Sequence, residues 1–127
     1  MSFSKKLLVA EDNENLRRLL VKMIKKMGYE NVHEAENGEE AWEYLRLNPV
    51  DLILTDWEMP IMSGVELLEK IRSSKSDELK DVPVLMITVV DKKEKILEAL
   101  KLKISGYIIK PFSMKIVEEK IATSLAG

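Results

Sequence analysis

The sequence contains no cysteine and a single histidine, His33. Disulfides and thiolate metal sites are thereby excluded, and the composition fits a reducing compartment such as the cytoplasm. Positive charge is not in excess either: 20 Lys and Arg stand against 22 Asp and Glu, a formal net charge of -2. The two signs are interspersed, so no basic face is expected to contact nucleic acid or an anionic membrane directly. Long hydrophobic runs are also missing. The longest, over 82–90, falls far short of the roughly 20 residues a membrane helix needs. The opening MSFSKKLLVAED has no long apolar core followed by a small-residue cleavage site, so a soluble chain without a signal peptide is expected. At 127 residues there is material for one hydrophobic core and too little for two, which makes 1–127 a single domain in expectation.

What is present is an alternation of short apolar runs with segments of helical period. Strands are expected at 6–10, 31–35, 51–56, 83–88 and 106–109. Between them, Leu16, Leu19, Leu20, Met23, Ile24 and Met27 recur at spacings of three and four, one face of a helix that Gly28 closes. Asn37 is placed to cap a second helix, with Glu40 reaching back as in a capping box and Ala41, Tyr44 and Leu45 inward. A third helix over 64–72 turns Val65, Leu68 and Ile71 inward, and the polar run 73–81 reads as a solvated loop. A fourth helix is expected over 92–102. A fifth begins after Ser113 with Ile116, Val117 and Ile121 on its inner face. No linker, repeat or low-complexity tract interrupts the pattern. Strands that are mostly continuous apolar runs, alternating with helices, predict an α/β fold with a parallel sheet covered on both faces.

Ligands of such open sheets bind beyond the carboxyl ends of the strands, where the winding reverses. The run 52–64, LILTDWEMPIMSG, is a buried-strand pattern that ends in Asp56. The other strand ends carry Glu11 and Asp12, Thr88, and Lys110. With strand order 2-1-3-4-5, the reversal falls between strands one and three and gathers the three carboxylates around one crevice. Taken singly, each residue has a plain structural reading: acids suit a helix start, Thr88 can cap a helix, and Lys110 before Pro111 can be a loop charge. Taken together they point elsewhere, because crowded carboxylates repel and raise each other's pKa, and a fold rarely collects three without a cation. With no Cys and one His, the donors are hard oxygens that favour Mg²⁺ over zinc or copper. Mg²⁺ commonly shares its carboxylates with a phosphate, so the site looks built for a phosphoryl group.

These pieces resemble the response-regulator receiver domain, the CheY-like family of two-component signalling. The resemblance rests on the acid pair in LLVAEDN, on DLILTDWEMPIMSG, on the threonine closing VPVLMIT and on GYIIKPF, and spans about residues 4–125. It implies a flavodoxin-like (βα)5 three-layer sandwich with a five-stranded parallel sheet of order 2-1-3-4-5. It further implies that Asp56 is the phosphoacceptor, taking a phosphoryl group from a phosphohistidine on a sensor histidine kinase or phosphotransfer protein. Asp12 matches a direct Mg²⁺ ligand, Glu11 an acid that holds the metal through water, and the Glu58 backbone carbonyl a further ligand. Lys110 matches the lysine that pairs with carboxylate or phosphate, Thr88 the hydroxyl that hydrogen-bonds the phosphoryl oxygen, and Tyr107 the aromatic switch. Output is then expected through the fourth helix, fifth strand and fifth helix, from a phosphoacceptor that is not a turnover enzyme. Met59 and Pro60 would hold the loop after Asp56, and Gly64 would permit close backbone approach.

Two departures stand out. Val89 follows the threonine where the family usually has a small residue, and is expected to narrow access to Asp56. Lys103 and Ile104 replace the usual Gly-Ala before the switch aromatic, so the fourth helix is expected to end without a glycine stop. Rival readings are an aspartyl-nucleophile phosphatase, for which Glu58 sits two residues after the nucleophile but Pro60 and the missing cap domain argue against, and a flavin-binding domain, whose phosphate the acidic EDNEN loop would repel. A receiver-like module that binds partners without phosphorylation is the nearest alternative. Such modules commonly lack one of these residues, and here all are present.

Overall fold

The computed structural model describes residues 4–89, 94, 97 and 100–126. Strands β1 (Lys6–Ala10), β2 (Asn31–Ala35), β3 (Leu52–Asp56), β4 (Val84–Val89) and β5 (Gly106–Lys110) form one sheet in the order β2-β1-β3-β4-β5, with every neighbouring pair parallel. Helices α1 (Glu14–Lys26), α2 (Gly38–Leu45), α3 (Gly64–Arg72), α4 (Asp77–Lys80) and α5 (Met114–Ala126) connect and cover it. The period of two along a strand sorts the core into two halves. Leu7 and Val9, Leu52 and Leu54, and Leu85 and Ile87 pack with Leu20 and Ile24 of α1 and with Val117 and Ile121 of α5. Their alternates Leu8, Ala10, Ile53, Val84 and Met86 pack with Ala41 and Leu45 of α2, Leu67, Leu68 and Ile71 of α3, and Leu79 of α4. β3 is buried over its whole length, as a strand covered on both faces must be.

Helix starts follow local chemistry. Asn13, Ser63, Ser76 and Ser113 each accept a hydrogen bond from the backbone N–H three residues on, satisfying donors that a first turn leaves unpaired. Asn37 does the same for Glu40 at 2.8 Å, but the Glu40 carboxylate meets the N–H of Glu36, not that of Asn37. The reciprocal capping box belongs instead to Ser63 and Glu66. Gly28 ends α1 with φ 108, a backbone conformation that costs glycine little.

Several expected details shift. The buried face of α1 is Arg17, Leu20, Val21 and Ile24, whereas Leu19 is 47% exposed and Leu16, Met23 and Met27 are half-buried. Ile116 of α5 is likewise exposed, and Ser124 takes its place on the buried face. Leu67 replaces Val65 as the buried partner of Leu68. The polar run 73–81 holds the one-turn helix α4, because Leu79 within it is buried. β4 begins and ends one residue later than expected, and β5 extends to Lys110. The helix expected over 92–102 lies for the most part outside the described residues. Its expected lack of a glycine stop is visible at Lys103, which takes φ 58, a left-handed value unusual for a side-chain-bearing residue. Arg72 holds that turn: its guanidinium donates to the carbonyls of Leu102 and Lys103, and also to those of Lys80 and Val82. One side chain thus ties the end of α3 to the approaches of both β4 and β5. No helix among the described residues is long and apolar enough to cross a membrane.

Candidate functional site

Register and alternation together determine which side chains meet at the carboxyl edge of the sheet. Ala10 pairs with Thr55, so the next residues, Glu11 and Asp56, come level at the boundary between β1 and β3. Asp56 pairs with Ile87, and Ile87 with Ile108, which places Lys110 two residues further along β5 on the same face. The Lys110 ammonium spans the two acids, 3.1 Å from Glu11 Oε1 and 3.2 Å from Asp56 Oδ2. Asp56 Oδ1 accepts the Trp57 N–H at 2.8 Å and Glu11 Oε2 accepts the Asn13 N–H at 3.0 Å. Each of these four carboxylate oxygens therefore has a defined donor. Glu11 is 1% and Asp56 8% exposed, while Asp12 is exposed.

One carboxylate oxygen from each of Glu11, Asp12 and Asp56 lies within 4.8 Å of the others. Burial is the largest influence on the titration of the inner groups. It pushes Glu11 up from 4.5 to about 7, opposed by the Asn13 hydrogen bond and reinforced by repulsion from Asp56. It pushes Asp56 up as well, with Lys110 pulling the other way. Burial would lower the Lys110 ammonium, but the attraction of Asp56 and Glu11 outweighs it and raises that group. Two buried acids and one ammonium leave the cluster short of positive charge, the condition a divalent cation relieves. All its donors are carboxylate oxygens, a set suited to a hard ion such as Mg²⁺ and not to a soft one.

Beside the acids opens a cavity of about 190 Å³ lined by Asp56, Trp57, Glu58, Thr88, Val89 and Lys110. At ~30 Å³ per liquid water, it has room for a small anion with some hydration. Thr88 is buried and its hydroxyl donates to the Val89 carbonyl at 3.2 Å; Val89 is 50% exposed at the rim. Tyr107 is not part of this cavity. It lies on a separate surface groove with Ile109, Phe112 and Ile116, and Lys120 stands 5.6 Å over its ring. Trp57 is 5% exposed and belongs to the core on the α2 and α3 side. His33, away from the site, stacks on Tyr44 with ring centroids 3.6 Å apart.

Gly64 does what its position suggested: a Cβ there would overlap the Asp56 carbonyl oxygen and come within 3.2 Å of Thr55 Oγ1. Its N–H donates to the Trp57 carbonyl at 2.9 Å, so the start of α3 is pressed against the backbone that carries Asp56. We expect Gly64→Ala to lower stability by about 2 kcal/mol, the usual range for overpacking, as a shift of the urea midpoint. An unchanged midpoint would mean that the loop yields freely.

Sequence reasoning missed Arg17, a buried charge whose guanidinium reaches the Glu11 carbonyl. The only sequence signal was an arginine interrupting an i, i+3, i+4, i+7 apolar stripe.

Comparison with known proteins bears on the family and the fold. The family model for the response regulator receiver domain matches residues 7–122. The chain is 40% identical over 121 residues to chemotaxis protein CheY1 of Helicobacter pylori, covering 94% of this chain and 96% of that protein. It is 40% identical over 116 residues to CheY-3 of Vibrio cholerae, covering 91% and 88%. Among solved structures it superposes on the chemotaxis response regulator CheY4 of Vibrio cholerae with a TM-score of 0.85 at 26% identity, over 95% of this chain and 98% of the other.

Proposed function

We propose, from the premise that this chain belongs to the response regulator receiver family, that residues 1–127 form one receiver unit that takes a phosphoryl group onto Asp56 from the phosphohistidine of a sensor histidine kinase or phosphotransfer protein. The observation that carries this reading is the Lys110 ammonium held between two buried carboxylates, at the mouth of a cavity that also presents Thr88. Chains of this family act in signalling and are not turnover enzymes, and a cytoplasmic location is part of the same reading.

Asp12 and Asp56 would hold Mg²⁺, with Glu11 behind a water and the Glu58 carbonyl as a further donor. When bound, the ion supplies charge neutralisation for the oxygens of the transferring group. The chain's own residues do the rest. An Asp56 oxygen attacks phosphorus in line; the new P–O bond forms as the P–N bond breaks, and the departing imidazole keeps the electron pair and takes up a proton. Lys110, already poised at 3.2 Å, remains beside the new acyl phosphate and offsets its charge. Thr88 exchanges its bond to the Val89 carbonyl for one to a phosphoryl oxygen. That movement vacates space toward β5, into which the Tyr107 ring, now outward beneath Lys120, can turn. The surface formed by the fourth helix of the sequence pattern, β5 and α5 then changes for an output partner.

The direct test is incubation with a small phosphodonor with and without Mg²⁺, followed by intact mass and site mapping. One phosphoryl group on Asp56, formed only with metal, is expected; labelling without metal or at another residue would overturn the reading. Val89 adds a rate prediction. Its branched side chain borders the cavity from the exposed rim, and in-line displacement needs one open approach. Val89→Ala should therefore speed loss of the phosphoryl group several-fold without changing Mg²⁺ affinity, since Val89 offers no ligand atom. A decay time course equal to or slower than that of the parent would leave Val89 as a packing residue.

A further inference from the structure

Resting on the metal reading above, we infer that Arg17 is a positioning residue for the acid pair: it fixes the peptide between Glu11 and Asp12 without touching the ion. Glu11 lies one residue beyond the end of β1. Its N–H still pairs with the Ala35 carbonyl at 3.0 Å, while its own carbonyl accepts from Arg17 Nη1 at 2.9 Å. The guanidinium is itself aimed from the other side, with Nε 3.1 Å from Glu34 Oε1 and Nη2 3.9 Å from Glu36 Oε1. The backbone of Glu11 is thus held on both sides, its N–H by β2 and its carbonyl, which belongs to the peptide that leads into Asp12, by Arg17 of α1. Asp12 needs this support because its side chain is exposed and must nevertheless meet Glu11 and Asp56 in one cluster.

The placement of the charge supports the same conclusion. Arg17 is 6% exposed and shares its helix face with Leu20, Val21 and Ile24. An apolar side chain of similar length would fill that place with no desolvation penalty, which for a buried ion is considerable. A planar fork with several donors, however, can serve a carbonyl and a carboxylate in fixed directions at once. Outer partners that orient metal ligands commonly contribute about 10–100-fold in affinity.

The experiment is calorimetric titration of Mg²⁺ into the parent protein, Arg17→Met and Leu20→Ala, with thermal unfolding of each in EDTA. Leu20 is buried on the same helix face and serves as the control for destabilisation alone. Arg17→Met is expected to raise the Mg²⁺ Kd about tenfold or more, while Leu20→Ala lowers the melting temperature with its Kd unchanged. Equal Kd values for Arg17→Met and the parent would overturn the inference, as would equal rises in both variants. If the parent itself binds no Mg²⁺, the metal reading fails and this inference with it, which separates the two failures. Should Arg17→Met not fold, Arg17→Lys is measured instead: one ammonium cannot span both partners, so Kd should again rise, and an unchanged value overturns the role.

Discussion

Replacing Asp56 with Asn is expected to abolish uptake of a hydroxylamine-sensitive phosphoryl group while leaving the protein folded. The amide keeps the shape of the side chain, and its oxygen can still accept the Trp57 N–H that now holds Asp56 Oδ1 at 2.8 Å. What it loses is the charged nucleophile. Removing a carboxylate can unfold a protein if that group was stabilising, and here the sign is the reverse. Burial raises the Asp56 carboxyl against the pull of Lys110, so ionising it costs more in the folded chain than in the unfolded one. Asp56→Asn should then melt no lower than the parent in EDTA at neutral pH, and the Glu11 carboxyl should titrate lower once the repulsion of Asp56 is gone. Thermal unfolding beside the labelling assay separates lost chemistry from lost structure. Normal labelling of a folded Asp56→Asn protein would move the phosphoacceptor elsewhere.

Without metal, stability should fall as pH rises through the window set by Glu11. Its carboxyl is pushed up to about 7 in the folded chain from an ordinary 4.5, so between those values the folded state holds a proton that the unfolded state has released. Stability therefore declines from the lower value to the upper and is level above it. At ~1.4 kcal/mol per pKa unit, the decline attributable to Glu11 is about 3 kcal/mol, an upper figure because Asp56 and Lys110 titrate with it. The difference between the parent and Glu11→Gln, followed by urea unfolding from pH 4 to pH 8 in EDTA, isolates this contribution from the other carboxylates. Saturating Mg²⁺ should reverse the decline above about pH 7, by about 2.7 kcal/mol at 100 times Kd, and should have little effect near pH 5, where protons hold the ligands. A parent and Glu11→Gln difference that stays flat across the window would show that Glu11 ionises in the folded chain as readily as in the unfolded one.

The sequence by itself determined the order of strands and helices, the two-sided burial of β3, and the gathering of Glu11, Asp12, Asp56, Thr88 and Lys110 at one edge. These follow from local patterns: a period of two or continuous apolarity for strands, a period near 3.6 for helices, and the fact that parallel strands all end on the same side. The caps at Asn37 and Ser113 and the close approach at Gly64 were legible for the same reason, since each depends on a few neighbouring residues.

Tertiary structure alone decided which of several equivalent apolar residues went inside. Leu16, Leu19, Leu20, Met23, Ile24 and Met27 form a plausible face, yet helix α1 rolls so that Arg17 and Val21 replace Leu19, because the Glu11 carbonyl and the carboxylates of Glu34 and Glu36 offer the guanidinium partners that no close neighbour in sequence supplies. Leu79 is buried and organises a one-turn helix in a polar run only because α3 and the sheet stand over it. Tyr107 and the site cavity occupy separate surfaces, a matter of how β5 and α5 meet. Hydrogen bonds between residues far apart in the chain, such as those of Arg17 to Glu34 and of Arg72 to Leu102, have no periodic signature. Their energy depends on the direction and desolvation of groups brought together by the fold, and that is why the sheet edge could be read in advance while the side chains that brace it could not.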